Sequence, residues 1–207
     1  MPKFPEPPAA GELAATSPER KALPAGALIW RVYFRGGDHP TFWDAFRSFG
    51  PTTGRFDHHL PPSSVQERSI FYGAEHGRTC LAEVFQDSRI IDRAARKPWI
   101  VGFRIRRDLT LLDLTGTWPT RAGASMVLSS GPRPRAQRWS RAIYSEFPEI
   151  EGLYYPSSMA ANRPAVALYE RAVPAMPAAP AFHRPLSDPT LLTLLRNAAR
   201  DLGYVLL

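Results

Sequence analysis

Apolar and polar positions start to alternate at residue 27. The run ALIWRVYF (27–34) predicts a strand that closes on the Gly36-Gly37 turn. SIFYGA (69–74) reads as a short buried strand, and WIVGFRI (99–105) and LTLLDL (109–114) as two more. GLYYPSS (152–158) and AVALYERA (165–172) complete the strand candidates. Three stretches change to helical period. HGRTCLAEVFQDS (76–88) carries its apolar residues at 80, 81, 84 and 85, one face of a helix. RPRAQRWSRAIYSEF (133–147) spaces Trp139, Ile143 and Phe147 four apart, with helix entry placed after Pro134. DPTLLTLLRNAARDLG (188–203) has Asp188 to cap it, a proline at the first helical position, a leucine face and Gly203 at its end. PTFWDAFRSF (40–49) suggests a helical turn or two. Residues 1–27, with six prolines and few large apolar side chains, read as a flexible arm ahead of one domain over 28–207. Strands early and late with few helices amount to an α+β fold rather than strict βαβ alternation.

The bulk numbers narrow this picture only slightly. A chain of 207 residues with 44% hydrophobic and 22% charged residues suits one globular domain. It contains no run of eighteen apolar residues, and its N-terminus lacks the apolar region of a signal peptide, so a cytoplasmic location is the expectation. The single cysteine, Cys80, agrees with a reducing compartment and reads as a packed core thiol. Net charge is +7, and of 26 basic residues only three are lysine, leaving 23 arginines. Arginine's planar fork suits phosphates and carboxylates, although a GC-rich genome would produce the same excess. Without a dense basic stripe or a binding motif, direct nucleic-acid binding is not expected.

Several chemistries are absent as motifs: HExxH, paired CxxC, GxSxG, the P-loop and the Rossmann GxGxxG. No metal site is expected. What remains is a set of polar residues at the edges of buried elements. Arg31 interrupts an apolar strand, and Tyr72 ends another beside Gly73. Glu83 lies between the apolar pairs of its helix, and Ser157 follows the strand ending Tyr154-Tyr155-Pro156. Arg55 occupies the loop FGPTTGRFDHH (49–59), which is too rich in glycine, proline and threonine to bury much surface. Each alone has an ordinary structural explanation: an ion-paired arginine, a core tyrosine, a helix-edge charge, a turn serine.

Taken in order, WRVY, GRF, IFYGAEHGRTCLAEVF, GLYYPSS and NRPAVALYE resemble the RES domain, named for its Arg, Glu and Ser. The matching positions are Arg31, Glu83 and Ser157, with Arg55 and Tyr72 from intermediate motifs; Ser158 is a one-residue alternative to Ser157. The resemblance implies an ADP-ribosyltransferase-like mixed sheet core with flanking helices. It also implies a bacterial toxin that consumes NAD+ as substrate, not as a recycled cofactor, and is neutralised by an Xre-like antitoxin. Cleavage of NAD+ and transfer of ADP-ribose to a protein acceptor both remain open. Glu83 would steady the positive charge that develops on the ribose. Arg31 and Arg55 would clamp pyrophosphate or ribose, Tyr72 would stack on nicotinamide, and Ser157 would hold a polar group.

Overall fold

The computed structural model describes residues 4–207. Eleven strands are formed along it: β1 (Arg20–Leu23), β2 (Leu28–Phe34), β3 (Arg47–Gly50), β4 (Ser64–Ala74), β5 (Ile90–Ile91), β6 (Pro98–Arg104), β7 (Leu109–Asp113), β8 (Gly152–Pro156), β9 (Pro164–Tyr169), β10 (Phe182–Pro185) and β11 (Val205–Leu206). The helices are α1 (Gly77–Val84), α2 (Trp118–Arg121), α3 (Arg133–Glu146) and α4 (Leu192–Leu202). The principal sheet runs β1-β7-β8-β9-β4-β2-β6-β10, with β3 added to β4, while β5 and β11 pair separately. Only β7 and β8 in the large sheet are parallel, so the fold is α+β with a mixed sheet, as the sequence predicts.

Period-2 alternation splits the sheet's side chains between two cores. Ile70, Leu153, Tyr155, Ala165, Ala167 and Tyr169 point to the face covered by α1, α3 and α4. Phe71, Tyr154, Val166 and Leu168 point to the other, with Ile29 and Phe103. The helices pack by the stripes that their periodicity indicates. Leu81 on α1 and Trp139 and Ile143 on α3 are completely buried, each removing about 1.5–3 kcal/mol worth of apolar surface from water. The C-terminal helix begins through a single 3-10 turn, Pro189–Leu191, whose Asp188 side chain accepts from Thr190 N. It ends at Gly203 with φ of 67°, the left-handed geometry that favours glycine.

Two expectations differ from the structure. Residues 40–49 form no helix: a single turn at Trp43-Asp44 leads into β3, and the segment crosses the sheet as a strap. Residues 4–27 do not hang free either, and residues 1–3 lie outside the described residues. Phe4, Leu13 and Leu23 are buried, and β1 pairs with β7 along Arg20–Leu23. The reason is long-range partnering. Glu6 receives Arg135 and Arg138 from α3, Trp139 Nε1 donates to Pro5 O at 3.0 Å, and Gly11 N donates to Glu146 at 2.8 Å. Proline-rich backbone needs few partners of its own, so these few suffice to hold it.

The feature that makes room for a site lies between β2 and β4. These neighbours share only the pair Trp30–Ala74, whereas β2 pairs with β6 along its whole length and β4 with β9 over five residues. Gly73 permits that single close approach, since a Cβ there would meet Ile29 Cγ2 at 2.8 Å and the Trp30 carbonyl at 2.9 Å. Beyond it the strands diverge.

Candidate functional site

A cavity of about 920 Å³ opens in that divergence, between β2, β4, α1 and the loop 51–56. That volume lies at the upper end of ligand sites, roughly 300–1,000 Å³. Arg31, Arg55, Tyr72 and Glu83 line it. Ser157 sits behind Glu83, fully buried at the end of β8, and its hydroxyl donates to Glu83 Oε1 in a very short contact. Ser157 Oγ in turn accepts from Met159 N at 3.2 Å, which fixes the hydroxyl's direction. Ser158 is exposed and makes no such contact, so the geometry selects Ser157 of the two. Four of the five sequence-derived residues thus border one cavity, and the fifth, Ser157, reaches it through Glu83.

Glu83 reaches the cavity because α1 turns its buried stripe, Cys80 and Leu81, onto the sheet and leaves position 83 at the stripe's edge. Burial raises its pKa above the ordinary carboxylate value, and the Ser157 hydroxyl, Arg55 and Arg133 oppose that rise. Cys80 donates its thiol to Trp30 O at 3.1 Å, and burial pushes its pKa far up, so it is a core thiol as expected and not a nucleophile.

The loop carrying Arg55 is built around Asp57. This fully buried carboxylate accepts from Arg47 Nη2 at 2.8 Å, Thr52 N at 2.7 Å and Thr52 Oγ1 at 3.0 Å, and lies 2.5 Å from His59 Nδ1. Although burial opposes it, this set of donors holds Asp57 well below the usual carboxylate range. From the other side, Gln137 on α3 donates to Thr52 O and Gly54 O at 2.7 and 2.8 Å, and Ser140 donates to Phe56 O at 2.7 Å. Tyr72 OH accepts from Phe56 N at 3.1 Å, and Gly54 is required beside it, because a Cβ would stand 2.8 Å from that hydroxyl. Arg55 is therefore held at a tied tip, its Nη1 donating to Gly131 O at 2.5 Å.

Arg31 is placed differently from the sequence expectation. Strand alternation puts it on the face of Phe71, opposite Trp30 and Val32, with its guanidinium 4.2 Å from the Phe71 ring centroid. Its Nη1 donates to Ala45 O at 2.8 Å and Trp43 O at 3.4 Å, carbonyls of the strap. Burial lowers its pKa to about 10, which leaves it charged at neutral pH. Arg31 borders the cavity but spends that donor on the strap. Tyr72 is likewise occupied at its hydroxyl, so only its ring is available to a ligand. Arg133, Gln137 and Ser140 were not singled out from the sequence, because their position in the first half of α3 does not tell what α3 faces. Among the described residues no helix is long and apolar enough to cross a membrane, and no group of three His, Cys, Asp or Glu side chains could hold a metal.

Comparison with known proteins accords with this geometry. Among curated proteins no sequence matches the chain. A solved structure, the M. tuberculosis MbcT–MbcA toxin–antitoxin complex, is similar in fold with a TM-score of 0.56 and 17% identity, covering 85% of this chain and 92% of that one. Residues 28–191, which include every residue of the site just described, match the RES domain, and the chain belongs to that family.

Proposed function

We propose that this chain is the toxin of a toxin–antitoxin pair and cleaves the nicotinamide–ribose bond of NAD+. The observation that carries the proposal is Glu83: a half-buried carboxylate, oriented by a buried serine hydroxyl and flanked by Arg55 and Arg133, at the wall of a dinucleotide-sized cavity. In the reaction the C1′–N bond breaks, the electron pair leaves with neutral nicotinamide, and an oxocarbenium-like ribose remains. Ionised Glu83 lies where it can steady that positive charge or accept from the ribose hydroxyls. Ser157 keeps one of its oxygens fixed, so little reorganisation is needed when charge develops. Water or phosphate then takes C1′, releasing one proton if water is the acceptor. Tyr72 offers its ring to nicotinamide. The antitoxin partner is supported by the similarly folded chain having been solved in a toxin–antitoxin complex; an Xre-like protein is the partner the family resemblance implies.

The test is nicotinamide release from NAD+ by the full chain, with and without phosphate, comparing wild type with Glu83→Gln. The variant keeps the shape and removes the charge. A fall on the order of a hundredfold or more is expected, with melting temperature unchanged or raised because a costly buried charge is gone. Wild-type turnover in a folded Glu83→Gln chain would overturn the proposal. Adenylate-labelled NAD+ incubated with lysate identifies the acceptor: label confined to small molecules fits hydrolysis or phosphorolysis, and label on a protein band replaces them with ADP-ribosyl transfer.

A further inference from the structure

Four arginines line the cavity, and the structure separates them by what they already hold. Arg31 donates to the strap carbonyls, and Arg47 is paired with buried Asp57. Arg55 makes one hydrogen bond, to Gly131 O, two residues before Arg133 begins α3. Among the described residues Arg133 has as its ion-pair partner only Asp87, 3.5 Å away and 86% exposed. An exposed contact of that length contributes little. Yet Arg133 and Arg55 approach closely enough to repel: after burial, the Arg133 charge is the next cause that lowers Arg55's pKa. Two guanidiniums therefore face one cavity end; of the two carboxylates beside them, Glu83 is already bound to Ser157 and Asp87 is largely exposed to solvent. Such an arrangement is costly when empty and favourable around an anion of two charges.

We propose that Arg133 and Arg55 together form a diphosphate subsite, with Arg133 supplying the mobile half of the clamp and Arg55 the fixed half. The proposal rests on the dinucleotide reading above and, in the Arg31–Arg55 clamp that the family resemblance implied, replaces Arg31 with a residue on α3. Arg55 is pre-positioned by its loop, and Arg133 swings from exposed Asp87 to the ligand at small cost. Forked N–H donors from two sides match the non-bridging oxygens of a diphosphate. The division of labour follows: the arginine end binds, the Glu83–Ser157 end reacts.

Calorimetric titration of the full chain with ADP, inorganic pyrophosphate and adenosine tests this, using wild type, Arg133→Ala and Arg133→Lys. Wild type should bind ADP and pyrophosphate. Arg133→Ala should weaken both at least tenfold, and Arg133→Lys should recover part of the loss, since lysine restores charge without the fork. Adenosine affinity should not change. With NAD+ the Arg133→Ala chain should show a KM raised about tenfold, with kcat within about twofold. ADP binding by a folded Arg133→Ala chain at wild-type strength, or cleavage of NAD+ by it at wild-type KM, would overturn the subsite while leaving the reaction intact. Wild type that binds pyrophosphate through Arg133 but never releases nicotinamide would keep the subsite and remove the NAD+ reading. Wild type that binds neither ADP nor pyrophosphate would remove the subsite outright.

Discussion

Asp57 shows how a single side chain can set a site without touching it. It is fully buried and collects Arg47, Thr52 and His59. A buried carboxylate is tolerable only with such a complete set of donors. Replacement by Asn keeps the size but leaves Arg47 and His59 without their anion. Asp57→Asn should cost about 3–5 kcal/mol, read as a lower urea midpoint at unchanged slope, and should weaken turnover because the Arg55 tip is released. A chain with wild-type stability would show that the loop stands on Gln137 and Ser140 alone. The sequence offered the loop's composition and its arginine, but not this carboxylate, because a hub is defined by contacts that close only in three dimensions. The same limit explains the arginines. Residue type and order identified Arg31, Arg55, Tyr72, Glu83 and Ser157 as neighbours through a family resemblance. Which face of β2 carries Arg31 follows from alternation and was legible in principle; that the strap carbonyls would occupy it was not.

Elements whose reasons are local were legible in advance, and those whose reasons are distant were not. The last helix carries its own start and stop signals, Asp188 and Gly203, and forms where they indicate. The N-terminal segment has no such signals, and its partners lie more than a hundred residues away on α3. Its docking reaches the site indirectly. Phe4 abuts the turn before α3: a Cβ on Gly131 would meet the Phe4 ring at 3.0 Å, and the Gly131 carbonyl holds Arg55. Phe4→Ala should therefore cost about 2–4 kcal/mol, near the lower end for a buried phenylalanine because a segment held by few contacts can adjust. Limited proteolysis should cut within residues 5–18 faster than in wild type. Unchanged cleavage and melting would mean that the Glu6 ion pairs hold the segment without its aromatic anchor. The strap at 41–46 fails as a helix for a related reason. Trp43 and Phe46 both pack onto the second core against Phe103 and Phe71, which demands an extended crossing.

Across the whole molecule, acid acts on the fold and on the site through carboxylates shifted in opposite directions. Asp57 and Glu170 have lowered pKa values, Glu170 to about 2, despite burial that opposes the change. Their stabilisation is complete above the ordinary values of 3.8 and 4.5 and is lost as pH falls through the window below them. His58, buried among Tyr144 and Tyr169, is held below its ordinary 6.5 by desolvation. Unfolded chains bind that proton first, so His58 adds a gentler loss of stability as pH drops below that value. Glu83 runs the other way: its folded pKa is raised, so it costs stability when ionised and ceases to do so as acid protonates it. Under the proposed function, protonation of Glu83 would remove the charge that bond cleavage needs in a window starting above 4.5, before the carboxylate-driven loss of the fold. Turnover should therefore fall reversibly on acidification while near-ultraviolet dichroism still reports a native core. Because the Ser157 hydroxyl lowers the Glu83 pKa, Ser157→Ala should move the acid limb of the rate profile to higher pH and leave the acid unfolding midpoint nearly in place. An acid limb that coincides with unfolding, or that does not move in Ser157→Ala, would mean that the carboxylate whose ionisation governs turnover is not Glu83.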